Sequence, residues 1–527
     1  MDSTRGARAE EPIGVGSSGC SPATAHPTTG EAAMTETTEK TTTEPIKPST
    51  NRKVIALAIA GAFGGFLFGF DSSVINGAVE AITGQFGLTE ALTGFAVASA
   101  LLGAATGAFL GGRLADRFGR IPVMLIGAIV FFASSVGSGL AFNVVDLIVW
   151  RVLGGIGIGL ASVVAPAYIA EISPRQMRGR LGSLQQLAIT IGIFAALLSD
   201  AVFATTAGGA SEMFWWGLEA WRWMFLVSAI PALIYGVIAL LLPESPRYLV
   251  LHDKEQKARE VLVRVWPNGD VDREIRDMKA SIEDDVKAKR TGSLRGPVLG
   301  LKPIVWVGII LSVFQQFVGI NVIFYYSTTL WSAVGFEESS SLAISVATSV
   351  TNILVTLVAI ALVDRIGRRP ILLTGSIGMT VSLAAMAVAF SQSVTTDGEL
   401  ALPGAWGPIA LVAANVFVIS FGASWGPVVW VLLGEIFPNT IRAKALGLAA
   451  AAQWIANFLI TVTFPPMSAW SLPLTYGMYA LFAGLSFLFV LTKVPETNGM
   501  SLDEANTLLP NKNAAKPKPQ PKAKARR

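Results

Sequence analysis

From about residue 54 onward the chain alternates long apolar runs with short polar connections. Three of the clearest runs are Val123 to Ala141, Ala343 to Val363 and Tyr476 to Val494. Each holds roughly 20 residues, and a helix of that length crosses a hydrocarbon core of about 30 Å. A sliding window of about 19 residues finds about twelve such spans. Their limits are least sharp around Trp221, Phe324 and Asn415. This period predicts an all-α membrane protein of twelve transmembrane helices. Three stretches break the pattern: 1–52, 244–302 and 496–527. They divide the chain into a first six-helix bundle (53–243), a polar linker and a second six-helix bundle (303–495).

Composition agrees with that pattern. Of 527 residues, 52% are hydrophobic and 14% charged, against about 25% charged in a soluble domain. The first tail, with "TGEAAMTETTEKTTTEPIKPST", is too polar to bury a core and is expected to be disordered. It lacks the basic start and apolar centre of a secretory signal, and either Met1 or Met34 serves as the start. The only cysteine, Cys20, and one of two histidines, His26, lie in this tail; His252 lies in the linker. No disulfide framework, no Cys or His metal site and no cofactor motif can be assembled from that inventory. The linker carries "DKEQKAREVLVRVW", with acids and bases at helical spacing, and reads as a cytoplasmic helical domain.

Charge sets the orientation. The connections "GGRLADRFGR", "PRQMRGR" and "DRIGRR" are rich in arginine, whereas "NGAVEAITGQFGLTE" and "TTDGELALPGAWG" have no Lys or Arg. The positive-inside rule puts the basic set, and with it both termini, in the cytoplasm of a cell-membrane protein. The pI near 9.1 therefore needs no nucleic acid as partner. The basic ending "KPKPQPKAKARR" suits contact with anionic lipid.

The two bundles repeat one another. "EISPRQMR" is matched by "EIFPNTIR", "ADRFGR" by "VDRIGR", and "PESPR" by "PETNG". Two related bundles suit alternating access, with a site between them that faces each side in turn. The repeated acids and bases are candidates for a cytoplasmic gate: Asp116, Arg117, Arg120, Glu171 and Arg178 in the first half, and Asp364, Arg365, Arg368, Glu435 and Arg442 in the second. Ion pairs among them would break on opening. The plainer alternative is that the arginines only hold their loops inside.

Polar residues inside the spans carry the candidate chemistry. Asp71 sits in "GGFLFGFDSSVING". An ionised carboxylate at this depth is costly, so the group is a candidate for protonation, and Arg151 in "RVLGGIGIG" is its candidate partner. Such a pair acts either as a proton switch or as a permanent structural ion pair. The spans also hold the amides Gln185, Gln186, Gln315, Gln316, Asn321, Asn352 and Gln453. Uncharged amides supply donors and acceptors for a polar ligand without the penalty of a charge. Gln316 and Asn321 are five apart, roughly 140° around a helix, so a break, which Gly319 permits, must bring them together. A lone amide can equally serve a helix–helix hydrogen bond.

The ordered motifs "GGRLADRFGR", "RVLGGIGIG", "PAYIAEISPRQMRG", "PESPRYL", "QQFVGIN", "DRIGRR", "WGPVVWVLLGEIFP" and "VPETNG" resemble a sugar porter of the major facilitator superfamily over about Val54 to Leu502. The resemblance implies that family's fold, with monosaccharide and proton as the transported partners, a bilayer around a chain that works as a monomer, and no enzymatic reaction. It implies sugar-binding roles for Gln186, Gln315, Gln316, Asn321, Asn352 and Gln453, and a stacking role for Trp430. Phe68, Ile193, Phe324, Tyr325, Gly426 and Trp454 fall beside that pocket, and Tyr326 completes an aromatic pair near the outer gate. Ile193 and Phe324 resemble the hexose-transporting members, and "DSSVINGAVEAI" resembles actinobacterial glucose permeases. "SWGPVVWVLLGEIFPN" and "QQFVGINV" resemble the xylose–proton branch. The resemblance favours glucose, with xylose, another pentose or a polyol as alternatives.

Proton-coupled members carry Asp at the position of Asp71, where facilitative ones often carry Asn. Phe70 departs from the family's usual Tyr, and Ile121 from a second Arg. A facilitator with a structural Asp71 is the first competing function. A sugar sensor is the second, though the chain after Leu509 is short for a signalling tail. A membrane enzyme is the third, and the spans hold no His, no Cys and no paired carboxylates at catalytic spacing.

Overall fold

The apolar runs fold as helices, which satisfy every backbone polar group internally in a solvent that offers none. The computed structural model describes residues 48–173, 177–266, 270–291, 293–396, 399–438 and 440–497. Cys20, His26, Met34 and the basic ending lie outside them, as do the side chains of Arg178, Asp364 and Arg365.

The first half comprises α1 (Pro48–Phe86), α2 (Glu90–Phe118), α3 (Arg120–Gly139), α4 (Val144–Ile172), α5 (Arg178–Ala207) and a last span made of α6 (Ala220–Val227) and α7 (Ala229–Leu241). The linker follows as α8 (Pro246–Leu251), α9 (Glu255–Val265) and α10 (Val271–Thr291). In the second half one span is divided into α11 (Pro303–Phe317), α12 (Ile320–Tyr325) and α13 (Ser327–Ser332). Then come α14 (Glu338–Ile366), α15 (Arg368–Ser391), a span broken into α16 (Trp406–Gly422) and α17 (Trp425–Ile436), and α18 (Arg442–Lys493).

Eleven of the described helices are long and apolar enough to cross a bilayer. The last of them, Lys444–Lys493, leaves helical geometry at Ser471, two residues before Pro473, and so makes two crossings. Eleven helices therefore give twelve spans, six in each half. Between α15 and α16 the backbone forms an antiparallel pair, with Val394 opposite Ala401 and Thr395 opposite Leu400.

Small residues let the spans approach closely, which is how helices associate where burial from water offers no drive. At the α2–α4 crossing, a Cβ on Gly103 would lie 2.0 Å from the Val152 carbonyl oxygen, and one on Gly155 would lie 2.0 Å from that of Ala100. The α1–α5 crossing works alike: Gly65, Gly69 and Gly77 meet Gln185, Ile189 and Asp200 in turn.

The doubled motifs fold into doubled structures. Gly119 (φ 106°) and Gly367 (φ 97°) turn the chain into α3 and α15. Glu244 accepts the backbone N–H of Arg120 at 2.9 Å, and Glu496 accepts that of Arg368 at 3.0 Å. The acids of "PESPR" and "PETNG" thus occupy equivalent helix N-termini, where the backbone dipole favours a carboxylate. In the linker, the Arg259 hydrogen bond to Asp272, 2.7 Å long, and its charge hold that carboxyl below its ordinary range.

Candidate functional site

Asp71 lies where α1 crosses α4. Arg151 Nη1 reaches its Oδ1 at 3.2 Å and its backbone oxygen at 3.5 Å. Residue exposures of 6% and 3% leave the pair almost without solvent. The guanidinium also stands 5.8 Å from the centre of the Phe225 ring, within cation–π range. Its Nε makes no hydrogen bond. Beside the pair is a cavity of about 20 Å³, lined in part by Phe68, Ser72, Ala104 and Tyr325. That is room for about one water and no sugar.

The amides gather in the second half. Gly319 adopts φ 82° and separates α11 from α12. Across this break Asn321 Nδ2 donates to Gln316 Oε1 at 2.6 Å and to Asn457 Oδ1 at 2.8 Å. Gln316 Nε2 donates to Gln315 Oε1 at 3.4 Å. Gln315 Nε2 in turn donates to the carbonyls of Trp425, at 2.9 Å, and Gly426, at 3.4 Å. Those carbonyls lie in the first turn of α17, so Gln315 ties α11 to the start of that helix. Tyr325 is buried and lines the same cavity as Asp71, Ser72 and Arg151. Tyr325, at the end of α12, thus brings the second half to the cavity beside the ion pair, close to the amide cluster.

Other candidate residues keep their polar groups uncommitted. The Gln186 and Asn352 side chains make no hydrogen bond with a described residue, and Gln453 Oε1 is buried without one. Gln185 is pressed against Gly65, and its Oε1 is also unpartnered. Trp430 is 43% exposed, the open aromatic face of α17. Trp454 meets Phe68 edge-on at 5.7 Å, a contact between halves. Ile193, Phe324, Tyr325 and Phe70 share one apolar core. Tyr326 donates to the Thr461 carbonyl at 3.0 Å.

The gate candidates pair within each half. Arg120 binds Glu171 at 2.8 Å and Asp116 at 3.3 Å. Arg368 binds Glu435 at 3.0 Å, and Thr497 donates to Glu435 at 2.6 Å. Arg442 Nε donates to the Phe437 carbonyl, and Arg117 lies over Phe118. Among the described residues these groups staple neighbouring helices of one bundle, with no ion pair running from bundle to bundle.

Contacts between the halves lie toward the opposite face. Asn76 Nδ2 donates to Ser327 Oγ at 2.7 Å, and its Oδ1 accepts from the Thr328 N–H at 3.0 Å and hydroxyl at 2.8 Å. Glu338 accepts the Ala210 N–H at 2.9 Å. Gly94 lies so close to α18 that a Cβ would sit 2.4 Å from the Val462 oxygen. The face away from the basic loops is closed.

This arrangement has relatives. The sugar (and other) transporter family profile matches residues 57–509. This chain belongs to that family. A glucose transport protein of Synechocystis sp. is 55% identical over 455 residues, 86% of this chain and 96% of the relative. The D-xylose-proton symporter of Escherichia coli is 37% identical over 490 residues, 86% of this chain and 95% of the relative. The inward-open structure of the xylose transporter from E. coli matches with a TM-score of 0.74 at 35% identity, over 86% of this chain and 99% of that one. The transporter thus has the major facilitator fold and is a multi-pass membrane protein.

Sequence reasoning passed over several residues of this transporter. Asn457 is four positions after Gln453, on the same face of α18, and that spacing was available. Asn76 lies in the quoted "VING" stretch, but nothing in the sequence gives its partners in α13.

Proposed function

We propose that this chain is a proton-coupled glucose symporter of the cell membrane, working as a monomer with both termini and the basic loops in the cytoplasm. The observation that carries the reading is the placement of the buried Asp71–Arg151 pair beside a cavity that Tyr325 of the other half lines, next to the Asn457–Asn321–Gln316 amide cluster. It joins a group that can take a proton to amides that suit a sugar. The glucose and proton–xylose functions of the two relatives support the pairing of cargoes.

Proton binding to Asp71 removes the charge that holds Arg151 and loosens α1 against α4. Sugar bound by Gln186, Asn352, Gln453 and the Gln316–Asn321 pair, and stacked on Trp430, draws the halves together. Release of the proton on the cytoplasmic side restores the ion pair. The gate pairs Arg120–Glu171 and Arg368–Glu435 keep each half rigid as it rocks. One proton per sugar supplies about 1.36 kcal/mol per pH unit, enough for about tenfold accumulation.

Competition tests the cargo. In proteoliposomes with an inward proton gradient, unlabelled glucose should suppress labelled glucose uptake at lower concentration than xylose does. Uptake of labelled xylose that glucose fails to suppress would overturn the choice of sugar.

A further inference from the structure

A second carboxylate is buried in the first half, and the mechanism above does not use it. Asp200, on α5, has 0% exposure. Its Oδ2 accepts the Gly77 N–H at 3.3 Å, and its Oδ1 accepts no hydrogen bond. The notch that holds it is made by glycine, since a Cβ at Gly77 would lie 2.6 Å from the Asp200 Cβ. Gly69 and Gly77 both face α5, and Ser73 lies midway between them on the same α1 face. The Ser73 hydroxyl is fully buried and also makes no hydrogen bond.

Among the described residues no charged group answers the carboxylate. On α1, Glu80 is exposed, and Asp71 is six residues inward of Gly77, about 9 Å along the axis, and bound to Arg151. On α4, Asp146 serves the Phe142 N–H and Arg151 is taken. On α6, Arg222 is held by Glu219 and by the Gly139 and Ala141 carbonyls. On α14, Glu338 bonds Ala210; the Asp364 and Arg365 side chains, at that helix's far end, lie outside the described residues. An ionised carboxylate held by one backbone N–H at this depth is costly by several kcal/mol, and the neutral acid is not.

We propose that Asp200 is a second proton-binding site, separate from Asp71–Arg151, loaded from the outer face and required in its neutral form for that face to close. The placement suits the role. Gly77 follows Asn76, whose amide clasps α13 of the other half. Helix α5 itself packs on α14 across the interface. Parting these helices opens the route by which a proton reaches Asp200 from outside. Sealing them over an ionised Asp200 would strand the charge.

The proposal rests on the symport reading, so its test separates the two. Purified Asp71→Asn and Asp71→Asn/Asp200→Asn proteins are compared by infrared spectroscopy and by glucose counterflow. The carbonyl stretch of a protonated carboxyl should be present in the first at neutral pH and lost in the second. That readout needs no transport. In counterflow, the outside KM of Asp71→Asn should rise with external pH, by up to tenfold per unit on the alkaline limb. The double variant should be flat. Identical infrared spectra, or identical pH profiles, overturn the proposal. Failure of glucose to exchange in the parent, with the infrared band intact, overturns the choice of sugar and leaves the proton site standing.

Discussion

Replacing Asn76 by Ala should shift the transporter from closed to open at its outer face. The side chain donates to Ser327 and accepts from the Thr328 N–H, and both bonds cross between halves. The Thr328 hydroxyl also reaches Oδ1, but it keeps the Asn76 backbone oxygen at 2.6 Å after truncation. Two full bonds are therefore lost. Interhelical hydrogen bonds in membranes average about 0.6 kcal/mol and reach about 1.7. The closed state should lose roughly 1–2 kcal/mol, a shift of about 5- to 30-fold in the ratio of the two states. Cys20 is the only native cysteine, so a Cys20→Ser background accepts spin labels cleanly. Labels at Val145 and Glu337, both exposed near the outer ends of the two halves, report the opening by pulsed electron resonance. A longer-distance population should grow in Asn76→Ala. An unchanged distribution would refute the reasoning that this clasp holds the outer face shut.

The other predictions follow from packing and from which amides are committed. Gly155→Ala should destabilise by about 1–3 kcal/mol, because its Cβ would lie 2.0 Å from the Ala100 oxygen. Gly112→Ala, with nothing within 4 Å, should leave the melting temperature in detergent unchanged or raised. Gln186→Ala should raise the KM for glucose by about 2- to 10-fold, the worth of one hydrogen bond, without lowering the melting temperature. Gln315→Leu should lower the melting temperature as well as raise KM, since it strips a donor from the Trp425 and Gly426 carbonyls. Equal stability losses in the two Gln variants would contradict the division between free and committed amides.

The spans were legible because a run of about 20 apolar residues has few other fates. The doubled motifs announced the two halves, and the equivalent places of Glu244 and Glu496 show why those motifs repeat. Gly319 was legible as a break because two amides five residues apart cannot otherwise meet. The separate run Tyr476 to Val494 was legible too, and Pro473 marks the region of the break, but its place at Ser471 was not, because the helix resumes at once. Charge patterns revealed which residues pair but not with whom. Arg120 could have met an acid of either half, and only the fold brings Glu171 to it. Asn76 carried no signal of its own, since its partners are about 250 residues away and come near only when the halves close.

The most direct test of proton coupling is glucose accumulation in proteoliposomes under an inward proton gradient, comparing the parent with Asp71→Asn. The account predicts that the parent concentrates glucose by up to tenfold per pH unit. Asp71→Asn should still exchange glucose and never concentrate it. A parent that equilibrates glucose but does not accumulate it, with or without the gradient, would make the Asp71–Arg151 pair structural and the protein a facilitator.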